Sequence, residues 1–398
     1  MTIGIYLLII RLLRYRHVDR LHHRFPTRDA LAEMTLDEAW EIQRHRAAME
    51  HPDVSFYATF MALFKTYGIP SISKLLAATG ELARAETASK RAADTTIIMT
   101  EVTVHHPTSF RSREGIARMN YLHDRYRKAG KISDEDLLYT LSLFVLEPLR
   151  WCERYEWREP SEVEVCASGV FWKYIGEAMG IPYTCLKSQR EGWRDGSQFV
   201  RELEAWSLEY EVEEMVPAET NQAVAQHTLN ILLATMPAAL HGVVLDVVYA
   251  VLEPRLRRAM LFPDPSSTTA ALVHVLFDAR RFILRHLMPP RPSFLRRRFF
   301  AEDGDATSSG HFGYMRYVDM PWYVPPTALN RWGPGAFVRR MFGLPSPGDD
   351  GEKYSPKGYV IADLGPEGLK GRGREQMSRT REGLAAAYGG RMGCPFAR

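Results

Sequence analysis

Ser133-Asp-Glu-Asp-Leu-Leu-Tyr-Thr-Leu-Ser-Leu-Phe144 is the stretch on which the fold class turns. A serine followed by three acidic residues starts a helix, and Leu141, Phe144, Leu146 and Leu149 carry it to about Trp157. The same grammar repeats on both sides. Thr35-Leu-Asp-Glu38 and Ser161-Glu-Val-Glu164 are capping boxes, in which hydroxyl and carboxylate satisfy orphan backbone donors; they open helices toward Glu50 and Gly180. Further helices are expected over 54–67, 71–80, 86–104, 112–128, 197–214, 219–235, 238–261 and 267–287. Their stops are Gly68-Ile69-Pro70, Gly130, Pro217, Pro237, Pro263 and Pro289-Pro290. The β-branched run Thr95-Thr96-Ile97-Ile98 weakens one of these helices. No alternating strand run of useful length occurs, so the fold class is mainly α.

The bulk properties agree with a folded domain. At 398 residues the chain holds one large domain or two to three smaller ones, and 45% hydrophobic with 25% charged residues excludes disordered, collagen-like and polytopic membrane classes. Lys+Arg 51 against Asp+Glu 48 leaves +3, too near neutrality for a dedicated nucleic-acid binder. Cys152, Cys166, Cys185 and Cys394 lie far apart, which fits neither a disulfide scaffold nor a zinc cluster.

The two ends depart from this texture. Ile3 to Ile10 is apolar, and Arg11, Arg14, Arg16, His17 and Arg20 follow it. A spanning helix needs about 20 apolar residues, and a signal peptide carries its charge before the apolar run. The pattern therefore reads as a short anchor in the bilayer interface over 1–24, with an amphipathic tail docked on its own protein as the alternative. Beyond 302 the composition changes: 17 of the 28 glycines fall in 303–398, along with Pro321-Trp-Tyr-Val-Pro-Pro326. An irregular extension wrapped on a helical body over 25–302 is expected, because its aromatics need a surface to bury against. Just before it, Arg280-Arg281-Phe-Ile-Leu-Arg285 and Arg296-Arg297-Arg298 form either a second membrane patch or a solvated basic face.

Nucleotide fingerprints, H-E-x-x-H and G-x-S-x-G are all missing, which leaves the 13 histidines. Within 112–128, Ile116, Met119, Asn120, His123 and Arg127 share one helical stripe. An imidazole on a partly apolar face, with a cation one turn away, is a haem-ligand arrangement or a hydrogen-bonded core histidine. Tyr121 and Tyr126 offer the opposite face as an alternative inward side. Arg91 and Thr95 lie four apart and could present a guanidinium and a hydroxyl to dioxygen or a haem carboxylate. The alternative is an Arg91–Asp94 pair in the first turn. His22-His23 and His105-His106 diverge, while Trp151, Glu156, Trp157 and Arg158 read as a structural helix end with an ion pair.

Several long motifs resemble the fungal MpaB-like oxygenases, endoplasmic-reticulum-bound relatives of rubber oxygenase. They are Ala62-Leu-Phe-Lys-Thr-Tyr-Gly-Ile-Pro-Ser-Ile-Ser-Lys-Leu-Leu76, Lys90-Arg-Ala-Ala-Asp-Thr95 and Ala117-Arg-Met-Asn-Tyr-Leu-His-Asp-Arg-Tyr-Arg-Lys-Ala-Gly-Lys-Ile132. Leu138 to Phe144, Tyr155-Glu-Trp-Arg158, Met215-Val-Pro217, Pro289-Pro-Arg-Pro292, Arg331-Trp-Gly333, Pro347-Gly-Asp349 and Cys394-Pro-Phe396 extend the likeness over nearly the whole chain.

The resemblance implies a globin-like helical core holding one haem b, with dioxygen as co-substrate. It gives His123 the role of proximal iron ligand, Arg127 that of supporting the haem site, and Arg91 with Thr95 a place on the oxygen side. It further implies oxidative cleavage of a carbon–carbon double bond in a lipophilic, isoprenoid-bearing metabolite at the endoplasmic-reticulum membrane, with the catalytic domain on the cytosolic side. A haem-dependent hydroxylase or dehydrogenase, or a non-catalytic haem protein, is the alternative. The sequence departs from the rubber oxygenases at two points: Asp94 stands where they have a lysine, and 71–80 contains no carboxylate where they carry a distal glutamate.

Overall fold

In the computed structural model, residues 2–82, 85–301, 310–317, 319–388 and 393–396 are described. The chain begins with α1 (Thr2–Arg24), α2 (Arg28–Ala32) and α3 (Leu36–His45); α3 runs into a π-helical turn, Arg46–Glu50. Next come α4 (Pro52–Thr66), α5 (Pro70–Thr79), α6 (Ala85–Val104), α7 (Phe110–Lys128), α8 (Asp134–Tyr155), α9 (Glu162–Ala178), α10 (Gly196–Glu214) and α11 (Glu219–Leu233). The body closes with α12 (His241–Val251), α13 (Pro254–Ala259) and α14 (Ser267–His286). The mainly α class is the one expected, and among the described residues β pairing is confined to the isolated bridges Phe300–Tyr314 and Phe312–Tyr359.

Both capping boxes form, at Thr35/Glu38 and Ser161/Glu164. The Thr95–Ile98 run stays helical because Ile97 and Ile98 are buried, while Thr95, Thr96 and Thr100 return their hydroxyls to carbonyls one turn back. Two boundaries differ from expectation. The helix expected from Ser112 starts at Phe110, since Ser109 supplies the cap by accepting from the Ser112 amide. The single helix expected over 238–261 breaks before Pro254, which has no N–H to donate and holds Glu253 in an extended conformation.

The core joins α3, α4, α8, α9 and α10 around Leu138, Tyr139, Phe171, Tyr174 and Phe199. Several buried charges are paired. Lys65 sits 3.3 Å from Glu147 and 2.9 Å from both Glu211 and Glu253; burial opposes its charge, but the three carboxylates raise its pKa above the ordinary lysine value. At the end of α8, Glu156 faces His51 at 3.3 Å and Arg280 at 2.8 Å, and Arg158 holds Glu164 at 2.6 Å. This is the structural helix end expected there. Within the basic stretch over 280–300, three arginines have partners in the body. Arg280 and Arg281 bind the Tyr155 and Glu156 carbonyls, and Arg297 pairs with Asp53.

The boundary expected at 302–303 lies outside the described residues. The extension beyond it is not wholly irregular, containing α15 (Ala328–Trp332), α16 (Pro334–Met341) and α17 (Arg374–Tyr388). It is bolted to α6 and α7 by buried polar groups. Arg111, fully buried, donates to both oxygens of Glu101 at 2.8 and 2.7 Å and lies between the rings of Phe300 and Phe312 at 4.4 and 4.1 Å. Arg118 donates to the carbonyls of Leu364, Leu369 and Arg372.

The amino-terminal helix is longer than its apolar start, running unbroken through the arginines. Arg14 lies 5.2 Å over the Trp157 ring and donates to the carbonyls of Met288 and Pro289, and the Tyr6 hydroxyl donates to Leu287. Among the described residues no helix is long and apolar enough to cross a membrane.

Candidate functional site

The helices that position the site are α6 and α7, which pack against each other closely because position 115 is glycine. A Cβ there would stand 2.9 Å from Val102 Cγ2, so a side chain at 115 would push the helices apart. The close pairing places Arg91 of α6 near His123 of α7. Burial, then the charges of Arg91 and Arg127, push the His123 imidazole down to about 4. The ring is therefore neutral at physiological pH. Its Nδ1 is buried with no hydrogen-bond partner among the described residues.

The His123 side chain is half-buried. Tyr67, at the end of α4, is half-buried as well. Its phenol is raised by burial, hydrogen-bonded to Thr228 of α11 and within reach of the Arg91 charge. A cleft of about 340 Å³ reaches His123 from outside, between α7, the end of α9 and α17; Asn120, Arg127, Leu137 and Met179 are among its walls.

Of the four residues singled out from the sequence, Arg91 and Arg127 both lie close enough to His123 for their charges to act on its ring. Thr95 joins through Arg91: the guanidinium donates to the Thr95 hydroxyl, which donates to the Arg91 carbonyl at 2.8 Å. Arg127 is committed to architecture, donating to the Met179 and Gly180 carbonyls at 3.2 and 3.0 Å and to Asp134 at 3.3 Å. Asn120 donates to the Ala178 carbonyl at 2.9 Å. Together they clamp the last turn of α9 against the helix that carries His123, satisfying carbonyls a helix end leaves open.

The Arg91–Asp94 pair weighed as an alternative does not form. Asp94 points to the C-terminal extension, accepting from Lys90 at 2.8 Å, the Tyr323 hydroxyl at 2.8 Å and the Gly365 amide at 3.0 Å. The residue that stands in place of a lysine is thus a structural bolt. Lys65 is taken up by its three glutamates and Lys74 is exposed. Helix α5 adds no carboxylate. The adjacent His105 and His106 diverge as read, toward Glu101 and toward Asp37.

Sequence reasoning assigned no role to Tyr67 or Thr228, although Tyr67 lies inside the quoted run 62–76. It also missed His17, His45 and Glu50, whose ligand atoms lie within 4.8 Å of one another. The His17 and His45 rings are stacked, with centroids 3.6 Å apart and planes 19° apart, so their in-plane lone pairs run side by side. That is a π-stack joining α1 to α3, and a tetrahedral chelate needs lone pairs that converge.

Residues 46–285 match the family model described as ER-bound oxygenase mpaB/B'/Rubber oxygenase, catalytic domain. The chain is 40% identical over 393 residues to the ER-bound oxygenase mpaB' of Penicillium brevicompactum, covering 98% of this chain and 92% of that one. It is 38% identical over 367 residues to the ER-bound oxygenase mpaB of the same organism, covering 92% and 87%. A third relative, the ER-bound oxygenase mpaB of Penicillium roqueforti (strain FM164), is 43% identical over 261 residues, covering 65% and 88%. The matched segment runs from before α4 to the penultimate residue of α14 and contains His123, Arg91, Thr95 and Arg127. The chain therefore belongs to the mpaB/B' and rubber oxygenase family.

Proposed function

We propose that this protein is a haem b-dependent oxygenase that cleaves a carbon–carbon double bond in a lipophilic, isoprenoid-bearing metabolite at the surface of the endoplasmic reticulum. The observation that carries the reading is His123: a neutral imidazole with an unpartnered buried nitrogen, lining a cleft within reach of the Arg91 charge. These groups fit a haem. Neutral imidazole is the ligating form, and Arg91, with no carboxylate partner among the described residues, suits a haem carboxylate or an oxygen anion. When bound, haem supplies the activation of dioxygen.

The protein's own residues do the rest. His123 would hold the haem iron, and Arg127 with Asn120 fixes the helix that presents it. Arg91 is oriented by Thr95, so its charge is directed without a freely rotating side chain. Tyr67 keeps its proton, because burial raises its pKa, and offers a protic group on the Arg91 side.

Two observations support membrane association. The three relatives are described as ER-bound, and α1 exposes Ile3, Ile5, Leu8 and Leu12 beside a basic flank. We place the oxygenase domain on the cytosolic side, where a basic flank is retained. A second reading, a membrane-bound haem protein without turnover, draws on the lack of a carboxylate in α5.

Incubation of the haem-loaded protein with prenylated substrates under ¹⁸O₂ separates these readings. Cleavage gives a ketone and an aldehyde, or the derived acid, carrying label. A single hydroxylated product would replace cleavage by hydroxylation, and no oxygen uptake with any lipid substrate would favour the non-catalytic reading.

A further inference from the structure

We propose that α15 and α16 form a second membrane-contact element, a helical hairpin that seats in an anionic lipid surface. The hairpin is short, turned at Gly333, and its apolar residues point the wrong way for a soluble fold. Leu329 is 78% exposed, Trp332 75%, Phe337 67% and Met341 69%, while Ala336 and Leu344 face the body. Contiguous exposure of this kind marks an interaction surface. Tryptophan and phenylalanine on one side with arginines beside them is the composition of an interfacial helix.

Charge selects the occupant. From Met320 to Gly348 the chain has arginines at 331, 339 and 340 and no acidic residue. Arg331 and Arg340 flank the Trp332 ring at 6.0 and 5.2 Å, and both lean toward the single carboxylate of Asp349, at 3.5 and 4.0 Å. Each side chain keeps about a third of its surface exposed, at 34% and 37%. Two guanidiniums thus share one carboxylate beside a protruding indole. A second copy of the same hairpin would oppose arginine with arginine, whereas lipid phosphates complement it.

The hairpin also continues the surface proposed for α1. The Tyr6 hydroxyl and Arg14 of α1 hold the Leu287, Met288 and Pro289 carbonyls, after which Phe294 and Leu295 protrude. Arg297 then ties this strap to Asp53 of α4, Arg316 lies 4.7 Å over Phe56, and Arg339 of α16 lies 4.3 Å over Tyr317. A run of direct contacts therefore links the two exposed elements. Attachment at two points fixes the orientation of the body on the bilayer, which one helix does not. The inference extends the membrane association proposed above and is tested separately from it.

The test uses full-length protein and vesicles of phosphatidylcholine alone or mixed with phosphatidylserine. Partitioning is measured for the wild type, for a hairpin variant (Trp332→Ser, Phe337→Ser, Met341→Ser) and for an α1 variant (Leu8→Ser, Leu12→Ser), all exposed positions, with unchanged melting as the control for folding. The hairpin variant should lose on the order of tenfold or more in affinity for the anionic vesicles. Brominated lipid should quench a component of the wild-type fluorescence that is missing in Trp332→Phe. Wild-type partitioning by the hairpin variant, or no bromine quenching attributable to Trp332, overturns the proposal. So does self-association that the hairpin variant abolishes without a change in vesicle binding. If the α1 variant binds as wild type while the hairpin variant does not, the α1 attachment fails and the hairpin proposal stands.

Discussion

The Tyr323 hydroxyl donates a 2.8 Å hydrogen bond to the buried carboxylate of Asp94, joining the C-terminal extension to the helix that carries Arg91 and Thr95. The same carboxylate accepts from Lys90 and from the Gly365 amide. Asp94→Ala strands a lysine, a phenol and a backbone amide, and removing one partner of a buried charged cluster costs about 3 kcal/mol. Asp94→Asn keeps an acceptor and should cost about half as much. Urea unfolding checks this; equal midpoints for wild type and Asp94→Ala would mean that the extension is held by Arg111 and Arg118 alone.

The His17–His45 stack makes the attachment of α1 sensitive to pH. Burial, then the neighbouring His17, lowers the His45 imidazole to about 4, and burial lowers His17 as well. The unfolded chain, with histidines near 6.5, binds more protons than the folded one between about 4 and 6.5. Stability therefore rises with pH through that window, is complete above it, and is lost as both stacked rings become cationic. His45→Gln should flatten the slope of unfolding free energy between those limits. An unchanged slope would remove the stack from the pH response.

Arg127 acts on His123 through the backbone of α9. Its side chain is 31% exposed, so Arg127→Ala should change global stability by under about 1 kcal/mol. With His123 holding haem as proposed, loosening its helix should nonetheless weaken haem retention on the order of tenfold, the usual scale for outer partners of a metal ligand. Arg127→Lys should not restore it, because one ammonium cannot reproduce the guanidinium fork on Met179, Gly180 and Asp134. Haem retention equal to the wild type in both variants would reduce Arg127 to a surface tie.

What was legible in the sequence followed the range of the interactions. The capping boxes at Thr35 and Ser161 and the proline and glycine stops act within a few residues, so most of the helices could be read in place. The stripe holding His123 and Arg127 could be drawn from its spacing, whereas the roles proposed for them rest on the family resemblance. Asp94 was not, because its partners lie 229 and 271 residues away and nothing local marks a carboxylate as a bolt. Tyr67 and Thr228 likewise meet only when α4 and α11 pack. Helix α17 hid in a Gly- and Pro-rich tail because its burial is confined to a few positions such as Met377 and Leu384.

The most direct test of the account is the ultraviolet–visible spectrum of the purified protein before and after dithionite, with pyridine haemochrome quantitation, for the wild type and His123→Ala. The account predicts a Soret band from one haem b per chain in the wild type and its loss in His123→Ala at unchanged helical content. A protein that stays colourless after haem reconstitution, or a His123→Ala variant that keeps its Soret band, would contradict it.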